Sequence, residues 1–226
     1  MSNLPNVSNL DRLYANRFSE SERAEKLVVW KTLCGCFFNR YVRPDAAVLD
    51  IGAGYCDFIN NIAAGRKVAV DLNPDTKACA APGVEVHLLP LERLVEATGP
   101  GTIDVAFASN VFEHLRGPDT LLEVLAAVRE ALRPGGILMI MQPNAARVGM
   151  RFWDFVDHTL PLTEKGMEEA LTMSGFQMVE NRARFLPYTT KSRLPKSAPL
   201  LRIYLWLRPI QWLLGKQMFL VAKRPG

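Results

Sequence analysis

The chain has 226 residues, 49% hydrophobic and 22% charged, enough for one globular domain with modest additions but not for two full domains. Its net charge of +4 hides a division: residues 181–226 hold ten Lys or Arg and no acid, whereas residues 1–180 hold seventeen basic and twenty-three acidic residues, a net of −6. A basic end of this kind suits an anionic neighbour (phosphate, a membrane surface or nucleic acid), although a solvated basic face would read the same way.

The start, Met-Ser-Asn-Leu-Pro, shows no basic segment followed by an apolar run, so a cytoplasmic location is expected. Residues 10–42 read as helical, because Leu27, Trp30, Leu33, Phe37 and Tyr41 recur three or four apart, and Arg43-Pro44-Asp45 stops them. Residues 1–44 are thus expected as a helical extension of the main unit. Ala47-Val48-Leu49-Asp50-Ile51 is a short continuous apolar run, a buried strand that ends in the turn Gly52-Ala53-Gly54. A helix through about Ala64 is expected next, then a strand at Lys67–Asp71, with Pro74 opening a helical turn. Further strands are predicted at Val84–Leu88, Ile103–Ser109, Gly136–Gln142, Phe176–Glu180 and Met218–Lys223, and helices at 91–97, 119–132 and 163–174. This alternation predicts an α/β fold, a doubly wound, mostly parallel seven-stranded sheet of Rossmann-like form with an N-terminal helix and a C-terminal apolar helix. Cys34, Cys36, Cys56 and Cys79 form no C-x-x-C pair with a nearby His, so reduced thiols are expected and a zinc site is not.

A strand running into Asp50-Ile51-Gly52-Ala53-Gly54 places close-approach glycines and free backbone N–H groups at the carboxyl edge of a sheet, where such folds bind ligands. A nicotinamide-binding loop would need a third glycine at position 57, which is Asp57, and would not place Asp50 beside a pyrophosphate. Carboxylates and turn amides instead complement S-adenosylmethionine, which carries a sulfonium and an ammonium but no phosphate. Asp71, twenty-one residues after Asp50, stands where an acid can accept both ribose hydroxyls. Each acid has a structural alternative, Asp50 as a helix cap and Asp71 as the cap of the turn before Pro74.

The segments 48–54, Val70-Asp71, 103–115 and Leu132-Arg133-Pro134-Gly135-Gly136 together resemble the successive motifs of class I S-adenosylmethionine-dependent methyltransferases, over roughly residues 45–180. The resemblance implies a methyltransferase domain over 45–226, with residues 185–215 inserted before the last strand. It implies that Asp50, Gly52, Ala53 and Gly54 hold the methionine portion, that Asp71 binds ribose, that Leu72 packs on adenine and that Asn110 and Val111 flank the methyl group. The sequence departs from the family after the third strand, where an acid often binds the adenine amino group: Pro90 stands there, which leaves Leu91, Glu92 or apolar packing. Direct displacement on the sulfonium methyl then calls for alignment and no metal. The rival readings are a nicotinamide oxidoreductase and a non-catalytic cofactor-fold protein at membranes.

On the acceptor side, residues 153–175, containing Asp157-His158, and Phe185-Leu186-Pro187-Tyr188 resemble bacterial methyltransferases found beside saccharide and glycolipid functions. That implies a small-molecule, saccharide or lipid-linked acceptor facing Arg151, Asp157 and His158. His114, after the fourth strand, and His158 are the candidate catalytic bases; His87 lies inside a strand, where a structural role is expected. Nucleic acid is not expected as a partner, since no aromatic stacking module is visible. Residues 197–214 are apolar almost all round but carry Arg202, Arg208 and Pro209 within eighteen positions, too interrupted to span a membrane. One helix is predicted there, packed on the domain, pairing two copies in a homodimer, or lying on the inner membrane face.

Overall fold

The computed structural model describes residues 20–188 and 197–226, with side chains described from residue 25 onward in the first helix. Seven strands form one sheet: β1 (Ala47–Ile51), β2 (Arg66–Asp71), β3 (Val84–Leu88), β4 (Ile103–Ser109), β5 (Leu132–Pro143), β6 (Gln177–Arg182) and β7 (Gln217–Lys223). Their order is β3-β2-β1-β4-β5-β7-β6, parallel throughout except that β7 runs antiparallel to both of its neighbours. The chain builds outward from β1 in one direction and restarts beside it with β4. The carboxyl ends of β1 and β4 therefore flank the point where winding reverses, and a ligand-binding crevice opens there.

The continuous apolar strands follow from burial on both faces. Val48, Ala69, Val105, Phe107, Met139, Met141, Phe219 and Val221 point to one layer, and Leu49, Ile51, Val68, Val70, Ala106, Leu138, Ile140 and Leu220 to the other, the period-two alternation of a strand. The first layer is covered by α1 (Glu20–Cys36), the segment after β1 and α7 (Ala198–Trp206). The second is covered by α3 (Val95–Thr98), α4 (Pro118–Ala131) and α6 (Glu164–Met173). In the remaining segments, α2 (Asp75–Cys79) follows β2, α5 (Ala145–Val148) follows β5, and α8 (Arg208–Leu214) precedes β7. An aromatic group centres the first layer: Phe58 and Phe107 lie 4.0 Å apart, Phe37 and Phe185 4.5 Å, and Phe38 and Phe107 5.1 Å. All four cysteines are free thiols; burial is the main cause that pushes Cys34 and Cys56 up to about 12, which keeps them protonated and unreactive.

Five local expectations need correction. Helix α1 ends at Cys36, with a separate 3₁₀ turn at Phe38–Arg40, and the expected residues 10–19 lie outside the described residues. After the glycine turn no regular helix forms: Cys56 takes a left-handed φ of 61°, and the Asn61 side chain occupies the Asp57 carbonyl at 2.8 Å, displacing the backbone bond that a helix would place there. The predicted helix at 91–97 divides into a 3₁₀ turn, Leu91–Arg93, and α3. The predicted single helix over 197–214 is two, because the chain turns at Leu207 and Pro209 sits in the first turn of α8, where its missing N–H costs nothing. Strand β5 also begins four residues early, since Leu132 pairs with Ile103 before Arg133-Pro134-Gly135-Gly136 bulges out and Ile137 rejoins Val105. Arg133 Nε fixes that bulge on Asp104 at 2.7 Å.

Because Phe38 is fully buried among Phe37, Phe58, Phe107 and Phe219, Phe38→Ala is expected to lower unfolding free energy by about 3–5 kcal/mol. Urea unfolding measures this, and a loss below about 1 kcal/mol would mean that the aromatic layer closes over the gap.

Candidate active site

At the carboxyl end of β1 the chain enters Gly52 with φ 65° and Gly54 with φ 52°, both in the left-handed region that glycine tolerates. Gly52 has a second reason to lack a side chain: a Cβ there would collide with Val111 Cγ2 and stand 2.9 Å from Val111 Cβ. Val111 follows β4, so the two loops at the winding switch close on each other through this contact. Asn110 turns the chain out of β4 with a left-handed φ of 51°, its N–H on the Met141 carbonyl at 2.9 Å, and its side chain is exposed.

Asp71, at the end of β2, accepts the Gly54 N–H on Oδ2 at 2.7 Å and the Asn73 N–H on Oδ1 at 2.8 Å. It therefore does cap the turn before Pro74 and, in addition, holds the glycine loop. Thr76, from α2, adds an O–H bond to the Gly54 carbonyl at 2.8 Å. Asp50 is 3% exposed; burial drives its pKa well above the usual carboxylate range, against the Ile59 N–H that it accepts, and the charges of Asp71 and Asp57 push the same way as burial. No regular helix follows for Asp50 to cap. Asp57, where a nicotinamide fold would carry glycine, pairs with Lys26 of α1 at 2.6 Å. Ala53 is buried in the first layer, Leu72 is exposed beside Asp71, and Leu91 packs half-buried against the second layer.

Beyond Val111 a 3₁₀ turn carries Phe112, Glu113 and His114. The Glu113 carbonyl accepts the N–H groups of Thr159 at 2.8 Å and Leu160 at 3.0 Å, and the Thr159 hydroxyl bonds the Leu115 carbonyl at 2.6 Å, so the segment after β5 is stitched to the segment after β4. This seam brings His114 and His158 together, with ring centroids 5.0 Å apart. His158 is nearly buried, stacked on Phe155 at 5.0 Å and against Phe152 at 4.6 Å. Asp157 lies 3.4 Å from His114 through Oδ2, whereas Arg151 faces outward, largely exposed and paired with Asp154 at 3.5 Å. Sequence reading passed over two residues here. Glu113 is 1% exposed, and its pKa rises to about 7 chiefly through burial, with His114 pulling it down. Gln142, at the end of β5, is buried with neither amide atom hydrogen-bonded among the described residues. A Glu directly before a His in a post-strand turn was the available signal for the first; nothing in the sequence marks Gln142.

At the same edge, Arg147 after β5, Arg182 and Arg184 at the end of β6, and Arg208 with Trp212 of α8 line a cleft of about 390 Å³. Arg184 stays in place through the Trp212 carbonyl at 2.7 Å.

Residues 49–138 match the family model described as a methyltransferase domain. A 37.1 kDa protein of transposon TN4556 from Streptomyces fradiae is 31% identical over 118 residues, 45% of this chain and 31% of that protein. The "Probable methyltransferase ltbC" of Aspergillus luteorubrus is 24% identical over 124 residues, 45% of this chain and 41% of its own. The chain thus spans less than half the length of these curated relatives. Among solved structures, a S-adenosylmethionine-dependent methyltransferase from Archaeoglobus fulgidus superposes with a TM-score of 0.68 at 19% identity, covering 94% of this chain and 99% of that one, so the likeness extends to the whole fold. Residues 49–138 thus match a methyltransferase-domain model, and the chain shares the seven-stranded fold of solved S-adenosylmethionine-dependent methyltransferases.

Proposed function

We propose that the chain transfers the methyl group of S-adenosylmethionine to an oxygen or nitrogen of a small acceptor that carries an anionic group, such as a phosphorylated or lipid-linked saccharide. The clasp of Gly52 against Val111, with Gly54 held by Asp71, is the observation that carries the cofactor reading. Each Asp71 oxygen has accepted one backbone N–H and keeps a lone pair for a ribose hydroxyl. Leu72 and Leu91 offer apolar surface for adenine where Pro90 offers no donor. The loop of Gly52, Ala53 and Gly54, with Asp50 beneath it, takes the methionine end, and an ammonium there would offset the burial that disfavours the Asp50 charge. Asn110 and Val111 then border the methyl, and His114 and His158 border the acceptor. Displacement in line needs mainly alignment, which two loops pinned to neighbouring strands can supply.

The arginine-lined cleft supports an anionic acceptor, since guanidinium groups form paired hydrogen bonds to phosphate and carboxylate. Beside it, Leu200, Ile203, Trp206, Trp212 and Leu213 are exposed on α7 and α8 with Arg202 and Arg208 among them. None of the described helices is long and apolar enough to cross a membrane. Interleaved Trp and Arg suit peripheral contact with an anionic lipid surface that presents the acceptor.

S-adenosylhomocysteine is expected to raise the melting temperature, and NADH at equal concentration to leave it unchanged; stabilisation by NADH alone would reverse the assignment. Asp50→Ala and Asp71→Ala should each weaken S-adenosylhomocysteine binding by about 1–3 kcal/mol in calorimetric titration, and unchanged titrations would reduce both to structural ties. Gly52→Ala should cost about tenfold or more in affinity, part of which Val111→Ala in the same chain restores by removing the colliding methyl groups. Co-sedimentation with vesicles containing anionic lipid, but not with neutral ones, is expected of the full chain; a concentration-dependent dimer without vesicle binding would assign the apolar stripe to a second copy instead.

A further inference from the structure

Glu113, His114 and His158 each bring a potential ligand atom to within 4.8 Å of the other two. Two of them stand on consecutive positions of the turn after β4 and the third comes from the segment after β5, held alongside by the bonds to the Glu113 carbonyl. Within this group Glu113 Oε2 is buried and has no hydrogen-bond partner among the described residues, a costly position for a carboxylate unless a cation or a proton shares it.

The imidazoles beside it are oriented for the first of these. His114 Nδ1 lies 2.9 Å from the Asp157 carbonyl oxygen, and His158 Nδ1 lies 2.9 Å from that of Phe152. A carbonyl oxygen only accepts, so each Nδ1 donates an N–H to it, which makes Nε2 the ring atom through which a cation would be held. Metal-binding histidines are oriented in this manner, with the second nitrogen donating to a carbonyl or carboxylate. One carboxylate and two imidazoles thus meet in a donor set that metal ions take up.

We propose that Glu113, His114 and His158 bind one divalent first-row transition-metal ion, which ligates a hydroxyl of the acceptor. Two nitrogens and one carboxylate oxygen suit Zn²⁺, Co²⁺ or Fe²⁺ rather than Mg²⁺ or Ca²⁺, which favour all-oxygen shells. Bonds of about 2.0–2.2 Å place ligand atoms about 3–4 Å apart, so the widest pair closes by about 1 Å on binding. Three protein ligands leave positions open for the acceptor. On ligation the hydroxyl proton passes to solvent, as it does from metal-bound water. The oxygen lone pair then forms the O–CH3 bond while the C–S electron pair stays on sulfur, leaving S-adenosylhomocysteine. The cation site stands on its own geometry; its use in methyl transfer rests on the function proposed above, and it selects an oxygen acceptor over a nitrogen one.

Full-length chain stripped with a chelator and titrated with Co²⁺ is expected to develop visible d–d absorption that saturates at one equivalent, that Zn²⁺ displaces and that equimolar Mg²⁺ does not. Glu113→Gln, His114→Asn and His158→Asn should each weaken Co²⁺ uptake tenfold or more. Retained stabilisation of His114→Asn by S-adenosylhomocysteine shows that this half-exposed position is changed without loss of the fold, so the result stands even where Glu113→Gln does not fold. Absence of saturable absorption, or wild-type uptake in the histidine variants, overturns the site. Saturable Co²⁺ binding in a wild-type chain that S-adenosylhomocysteine fails to stabilise would keep the cation site and remove its role in methyl transfer.

Discussion

The Asp71 carboxylate takes the Gly54 N–H on one oxygen and the Asn73 N–H on the other, so one side chain ties together the loops leaving β1 and β2. A glycine loop with two left-handed residues is entropically expensive to hold, because glycine loses more backbone freedom than any other residue. The carboxylate contributes a charge-assisted bond at the point where that cost falls. With Gly54 fixed, Gly52 is brought against Val111, and the spacing across the winding switch is set by backbone rather than by a flexible side chain. An acid that both shapes the loop and offers lone pairs outward makes the pocket's form depend on the group that would read the ribose.

The second half of the crevice depends on the first through one short turn. Val111 closes the glycine loop, and two and three residues later come Glu113 and His114, on the side proposed for the acceptor. The 3₁₀ turn between them is held by the His114 N–H on the Val111 carbonyl at 3.1 Å and by full burial of Phe112 in the second layer. Thr159 and Leu160 then dock on Glu113. A shift at Val111 must therefore be felt at His158, since both ends of the path are hydrogen-bonded to the same three-residue turn.

Much of the fold was legible in the sequence because parallel strands covered on both faces are written as unbroken apolar runs, and all seven were placed to within a few residues. The errors fall where a local signal met a competing one. A helix after Gly54 was expected from the order of elements, but left-handed Cys56 and the Asn61 side chain on the Asp57 carbonyl interrupt it, and neither effect shows in that order. Residues 197–214 read as one apolar stretch, and Pro209 was noted there only as an interruption, although it opened a second helix. At the site, glycines and acids were readable from spacing, whereas the pairing of His114 with His158 was not. Forty-four residues separate them, and the seam that joins them is built from backbone carbonyls and N–H groups, which carry no residue identity.

The charge division along the chain shows the same limit from the other direction. Ten basic residues without an acid looked like one surface, yet the structure gives them different work. Arg224 donates to the carbonyls of Arg129, Glu130 and Leu132 and so fastens the chain end to the corner between α4 and β5. Arg182 is held by Glu180 and stacks over Phe37 at 5.0 Å, part of the wall of the aromatic layer. Arg184 and Arg208, by contrast, reach the carboxyl edge by topology: β6 ends there, β7 begins there because it alone runs antiparallel, and α8 must arrive there to feed it. The single reversed strand thereby carries Arg208 and Trp212 to the same rim as Arg147 and Arg182. An anionic ligand would meet a cleft assembled from three separate segments, although composition alone had shown only a basic tail.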